Sequence, residues 1–412
     1  MQPLPDTSST FSLFNRNFIK LLAFRIQIVL SYQMIAVVVG WHIYELTHDP
    51  LALGLIGLAE LIPYFCSTLF AGYLVDHYSR RVFALAACVV TSLTSLMLLL
   101  TTLNVLHGDP TWWIYAAVAL VGMVRTFITP SYMALLALVL PRQQYARASG
   151  ISSSAFQFGL VIGPALGGVL VGWAGKDVAY GVSALLAISA ALTFLTLKVE
   201  QPPLAKPSPV FASIGEGLRF VFNNRLVLSA QALDMFAVLF GGAVAMLPAY
   251  VQDIFHYGPE GLGILRAAPA VGAVLIGIVL ARYTIGRHAG KLLLWSVAAF
   301  GVCIILFGIS TYFWMAAVLL FLSGIFDGVS IVMRTTILQL ATPDNMRGRV
   351  SAINGIFIGS SNELGAFESG LAARLLGLVP SVIFGGAMTL VVAGTVACLS
   401  PRLRKLDMQQ LH

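Results

Sequence analysis

The chain has 412 residues, 58% of them hydrophobic and 10% charged, with a formal net charge of +7. Soluble domains carry about 25% charged residues, so a soluble globular protein is excluded. The cations are scattered between apolar stretches and not clustered with aromatic residues, which points to anionic lipid headgroups and away from nucleic acid.

The N-terminus is polar through Thr10, and the apolar stretch that follows is too long, and lacks the small-residue cleavage site, for a removable signal peptide. A membrane span needs about 20 mostly apolar helical residues. Twelve such segments follow in order: Phe18–Leu46, Leu51–Val75, Arg81–Leu103, Trp112–Leu140, Ala146–Trp173, Ala179–Leu197, Leu226–Phe255, Gly261–Tyr283, Lys291–Ser310, Tyr312–Leu340, Arg349–Gly377 and Pro380–Leu399. Hydrocarbon offers no partner to backbone amides, so the spans are helices. Asp49-Pro50 and Asp109-Pro110 supply an N-cap and a first-turn proline for the second and fourth. The expected architecture is an all-α membrane protein: a six-helix bundle over residues 1–198, a linker over 199–224, and a second bundle over 225–412. Within the linker a Pro-rich start gives way to Phe211, Ile214, Leu218, Phe220 and Val221, the spacing of an interfacial amphipathic helix.

Eighteen of the 24 Lys and Arg residues lie on alternate connections, from Arg16 and Lys20 to Arg402, Arg404 and Lys405, whereas the intervening connections carry Lys176 alone. This bias places the even-numbered connections and both termini in the cytoplasm. Cys66, Cys88, Cys303 and Cys398 all fall within apolar segments, without metal or disulfide-framework spacing.

The two halves repeat. A shift of 202 positions sets Gly122 on Gly324, Arg147 on Arg349, Gly163 on Gly365 and Gly168 on Gly370, and a shift of 206 sets Gly57 and Pro63 on Gly263 and Pro269. Parallel six-helix repeats with a site between them near mid-membrane form the layout of a rocking transporter. Under these shifts Glu60 meets Arg266 and Arg125 meets Asp327, and a shift of 209 brings Arg25 onto Asp234, so the charges invert between halves.

Gly72, Leu74, Asp76, Arg80 and Arg81, after the second span, resemble the loop signature of the major facilitator superfamily, with His77 where that pattern has Arg and Ser79 where it has Gly. In the fifth span Gly159, Gly163, Pro164, Gly167 and Gly168 resemble the superfamily's antiporter signature. Small residues there permit close helix approach, and proline opens the hydrogen-bond ladder. The run from Asp327 to Arg334, the segment Thr342–Val350, the segment Ser360–Gly370 and Asp234 resemble the enterobactin exporter-like branch. The resemblance implies a bacterial inner-membrane exporter and does not fix the cargo, since the branch includes siderophore and drug exporters; the expected protein is a monomer exporting a siderophore or drug-like amphiphile. The resemblance also implies alternating access driven by proton antiport, with no cofactor beyond the proton gradient.

Ionisable groups within spans are costly and face the interior or water. The proton-coupling candidates are Glu363, Asp327, Asp234 and Glu368, and the charge partners are Arg25, Glu60, Arg125, Arg266 and Arg334; Arg374 lies near a helix end. Asp234 is the natural partner of Arg334, in a pair that either locks one conformation or neutralises two charges. Glu363, near the centre of its span, and Asp327 are placed to exchange protons, or else serve as structural hydrogen-bonding groups. Polar and aromatic residues on spans that line the cavity in this superfamily are Tyr32, Gln33, Trp41, Phe156, Gln157, Phe236, Phe240 and Phe357. Two other readings are proton-coupled uptake, which the fifth-span pattern disfavours, and a non-transporting receptor. A membrane enzyme lacks support, because no nucleophile elbow, phosphate-binding glycine loop or metal-spaced histidine pair is present.

Overall fold

The computed structural model describes residues 15–197, 210–282, 288–343 and 346–407, and these are helical apart from the short connections, with no strand among them. Six helices form the first bundle: α1 (Arg16–Thr47), α2 (Pro50–His77), α3 (Arg80–Thr102), α4 (Pro110–Val139), α5 (Arg142–Ala174) and α6 (Lys176–Leu195). After α7 (Val210–Asn223) comes a broken span: α8 (Arg225–Phe240), a 3-10 turn at Ala243–Met246, α9 (Leu247–Ala249) and a π turn at Tyr250–Ile254. Then follow α10 (Pro259–Arg282), α11 (Ala289–Ile309), α12 (Phe313–Ala341), α13 (Arg347–Leu376), α14 (Leu378–Leu399) and the short α15 (Pro401–Arg404).

Eleven of these segments are long and apolar enough to cross a membrane. The exception is α13, thirty residues that include Asn354, Ser360, Ser361, Asn362, Glu363 and Glu368. It is long enough to span but too polar to face lipid alone, and it packs along α2, α8 and α14. With it the count is twelve.

Local chemistry explains the helix starts. Asp49 and Asp109 accept hydrogen bonds from the amides of Leu51 and Thr111, each at 2.9 Å, ahead of Pro50 and Pro110. The α5–α6 and α13–α14 connections each turn on one glycine, Gly175 at φ 92° and Gly377 at φ 95°, in a region L side chains disfavour. These two glycines are 202 positions apart, the period of the repeat.

The seventh span departs from the single helix expected over Leu226–Phe255. It breaks at Gly241-Gly242, where the neighbours leave no room for a side chain: a Cβ at Gly242 would lie 2.8 Å from the Gly365 carbonyl oxygen, and one at Gly241 would lie 2.6 Å from the Phe300 ring. At the end of the bundle that carries Arg349, α7 buries Val221 against Val227, Leu338, Val350 and Ile353, and Glu216 pairs with Arg349 at 2.5 Å. The Pro-rich part of the expected linker lies outside the described residues.

The ties between bundles run from mid-height to the end that carries Lys176. Gly168 of α5 meets Gly263 of α10 so closely that a Cβ would stand 2.7 Å from the Gly263 Cα, and Gly54 of α2 meets Gly370 of α13 at 3.0 Å. Arg374 pairs with the cap residue Asp49 at 2.9 Å, and Tyr44 donates a hydrogen bond to Asp253.

Candidate functional site

Glycines bring charged helices together at mid-height. A Cβ at Gly122 of α4 would lie 2.7 Å from the Glu60 Cγ, so α4 rides directly on α2 and carries Arg125, three residues on, to that carboxylate. A Cβ at Gly57 would lie 2.8 Å from the Ala366 Cβ, so α2 and α13 also close up, and Glu363 faces Glu60 across the bundle interface.

Arg125 lies between these two carboxylates. Its Nη1 is 2.9 Å from Glu60 Oε1 and its Nη2 is 3.1 Å from Glu363 Oε1, while its guanidinium sits 5.3 Å from the centre of the Tyr64 ring. One bond stays within the first bundle and the other crosses to the second. Arg266 also bridges the bundles, donating from Nη1 to the Ala36 carbonyl oxygen of α1 at 2.9 Å.

Two adjoining cavities share Arg266, Glu363, Ala245 and Ala366 in their walls. The first, about 160 Å³, is bounded by Tyr32, Gln33, Glu60 and Arg125 on the first-bundle side. The second, about 270 Å³, reaches Phe300, Ser323, Asp327 and Asn362, and the broken span supplies Gly241 and Gly242 to its wall.

The remaining candidates occupy other places. Asp234 of α8 and Arg334 of α12 form a buried ion pair. Arg25 is 6% exposed, lies 4.3 Å from the Tyr132 ring centre and 5.1 Å from that of Phe156, and its Nε and Nη1 have no hydrogen-bond partner among the described residues. Glu368 lines neither central cavity, because five residues carry it roughly 140° around the helix from Glu363.

Of the expected cavity residues, Tyr32 and Gln33 line the first cavity, and the others do not line either. Phe156 instead stacks on Arg25, Phe236 is 40% exposed on the outside of α8, Phe240 meets Phe384 edge-on, and Phe357 packs near α7. Gln157, half-buried, lies next to Phe156 on α5 and away from both cavities. Helix membership put these residues near the centre, but their angular positions turned them away. Phe300 and the hydrogen-bonded Tyr44 and Asp253 were not singled out in the sequence, where nothing sets them apart from packing or cap residues.

The glycine stripe of α5 divides its work. Gly163 and Gly167 seat Gln33 and Met34 of α1 within one bundle, whereas Gly168 meets α10 across the interface. In the loop signature, Arg81 donates to the Leu195 carbonyl at 2.8 Å, Arg80 opens α3 and Leu74 is half-buried; the side chains of Gly72, Asp76 and His77 lie outside what is described.

Among known proteins, a family model described as the Major Facilitator Superfamily matches residues 22–366 and again 247–410. The chain is 24% identical over 383 residues to the multidrug efflux pump Tap of Mycolicibacterium fortuitum, covering 89% of this chain and 91% of that one. It is 24% identical over 384 residues to the enterobactin exporter EntS of Citrobacter koseri, covering 92% and 90%. A solved bacterial homologue of the human lysosomal transporter Spinster, inward-facing and unoccupied, superposes with a TM-score of 0.75 at 17% identity, covering 94% of this chain and 97% of that one. With the family matched along nearly its whole length and that family's fold in its helices, the chain is a membrane transporter belonging to the major facilitator superfamily.

Proposed function

We propose that this transporter exports a small amphipathic organic molecule from the bacterial cytoplasm in exchange for protons, by rocking its two bundles about the central cavities. The observation that carries the reading is Arg125 held between Glu60 of its own bundle and Glu363 of the other. Protonating Glu363 removes a charged partner across the interface and leaves Arg125 with Glu60, so proton occupancy biases which bundle arrangement is favoured. The groups that act on Glu363 are Glu60, Arg125 and Arg266, with Asp327 on the same cavity.

The direction of transport is supported by the two efflux relatives and by the glycine–proline pattern of α5. Charge bias puts the Arg349 end in the cytoplasm. Ties concentrated toward the Lys176 end then make this an arrangement closed to the outside. The chain works as a monomer in the inner membrane with both termini cytoplasmic, and the proton gradient is its energy source. Siderophores and drug-like amphiphiles are the cargo classes to try first.

The test is purified protein in liposomes under an imposed pH gradient. Wild type should concentrate its substrate, and Glu363→Gln should lose concentrative transport while keeping downhill exchange. Full concentrative transport by Glu363→Gln would refute the assignment. Deleting the gene should raise dye accumulation in cells; lowered accumulation would mean uptake.

A further inference from the structure

The second cavity contains a carboxylate that forms no ion pair among the described residues. Four carboxylates line described cavities, and three of them hold a cation: Glu60 and Glu363 share Arg125, and Asp234 has Arg334. The fourth, Asp327, has neither an ion-pair partner nor a hydrogen-bond partner among the described residues. Arg334, two turns along the same helix, is already engaged by Asp234, and Arg266 is directed to α1.

Charge bookkeeping over the two adjoining cavities gives three carboxylates, Glu60, Asp327 and Glu363, against two guanidiniums, Arg125 and Arg266. With all five ionised there is one negative charge in excess, inside a span region where an uncompensated charge is costly. A proton on Glu363 cancels it in one state of the transporter; with Glu363 ionised, one monovalent cation does.

The wall beside Asp327 fits such a cation. Phe300 of α11 faces the same cavity and is held against the bare backbone of Gly241, where even a Cβ would collide with the ring. A held aromatic ring on the same cavity wall as a carboxylate is the pairing that recognises an organic cation, the ring quadrupole and the anion acting on the same charge. Gly241 permits this ring position, so the break in the seventh span serves to build the cavity wall.

We propose that Asp327 and Phe300 form the head-group subsite for a monovalent organic cation, an ammonium or phosphonium carrying apolar substituents. The proposal rests on the transport reading above and specifies the substrate class. It assigns Asp327 to the ligand, and leaves the Arg125 tie to respond to the proton. Anionic phenolates or carboxylates of the same size are disfavoured at this subsite, because the Asp327 carboxylate repels them.

The test uses the purified full chain in detergent and two probes of matched shape and opposite charge, tetraphenylphosphonium and tetraphenylborate, measured by equilibrium dialysis. Wild type should bind the phosphonium, and Asp327→Asn should weaken it about tenfold or more. Asp327→Glu should restore most of the affinity, and Phe300→Leu should weaken it about threefold to tenfold. Tetraphenylborate should bind more weakly and not respond to Asp327→Asn. Unchanged phosphonium binding in Asp327→Asn, or equal response of both probes, overturns the subsite.

A second measurement on wild type avoids reliance on folded variants. Tetraphenylphosphonium should protect Asp327 from carbodiimide labelling as read by peptide mass, and absence of protection also overturns the proposal. If the phosphonium binds through Asp327 yet is never moved by a pH gradient, the subsite stands and the exporter reading fails. If proton-driven transport of other molecules proceeds while Asp327 contributes nothing to binding, the reverse holds.

Discussion

In the first bundle Arg25 of α1 lies against the Tyr132 ring of α4; at the corresponding positions of the second bundle Asp234 of α8 is ion-paired with Arg334 of α12. The correspondence follows from the repeat shifts of 209 for Arg25 and Asp234 and 202 for Tyr132 and Arg334. The same inversion recurs at mid-height, where Arg125 holds two carboxylates and its counterpart Asp327 pairs with no cation among the described residues. Gly122 packs on Glu60, and its counterpart Gly324 packs on Pro269 of α10, so the backbone frame is shared even where the chemistry is reversed. A duplicated frame fixes where side chains stand and leaves their sign free. At the Arg25 and Asp234 positions each bundle meets the cost of a buried charge in its own way, by an aromatic face in one and an ion pair in the other.

The largest expected effect lies at the tie between bundles, where Glu363→Gln should abolish concentrative transport in proteoliposomes without abolishing exchange. Next comes the second bundle's ion pair. Asp234→Leu leaves Arg334 buried without its partner and should cost about 3–5 kcal/mol, seen as a lowered thermal midpoint in detergent. Adding Arg334→Leu should recover most of that loss; no recovery would show that the pair is not what the single variant broke. Glycine contacts sharpen the comparison further. Gly168→Leu drives a side chain into α10 and should disfavour the arrangement closed at the Lys176 end by about 1–3 kcal/mol, read as increased accessibility of cysteines placed at that end. Gly163→Leu, which meets Gln33 within one bundle, should lower stability without that change in accessibility. The smallest effect is expected at Arg25, where Arg25→Leu removes only a cation–ring contact and should change stability by about 0.5–2 kcal/mol. A loss as large as that of Asp234→Leu would show that the two halves handle charge alike.

Some of this was legible in the chain. Apolar length, the Asp-Pro helix starts and the alternating Lys and Arg mark the spans, because hydrocarbon imposes helix on any segment that crosses it. The broken seventh span had a signal in Gly241-Gly242 and Pro248, but hydropathy averaged over the stretch runs straight through it. The expected cavity lining was harder to read. Phe236 and Phe357 sit on the helices that surround the centre, yet a rotation of the helix decides whether a ring points to ligand, lipid or a neighbour.

The sequence by itself determined a twelve-span, doubled frame with opposite charges on its halves, because period and composition are properties of each helix alone. Only the tertiary structure decided that Arg125 holds Glu60 and a carboxylate 238 residues away, and that Asp327 pairs with no cation among the described residues. Helical periodicity states which face a side chain occupies. Which other face it meets depends on how closely glycines let particular helices approach, and that is set between helices and not within any one of them.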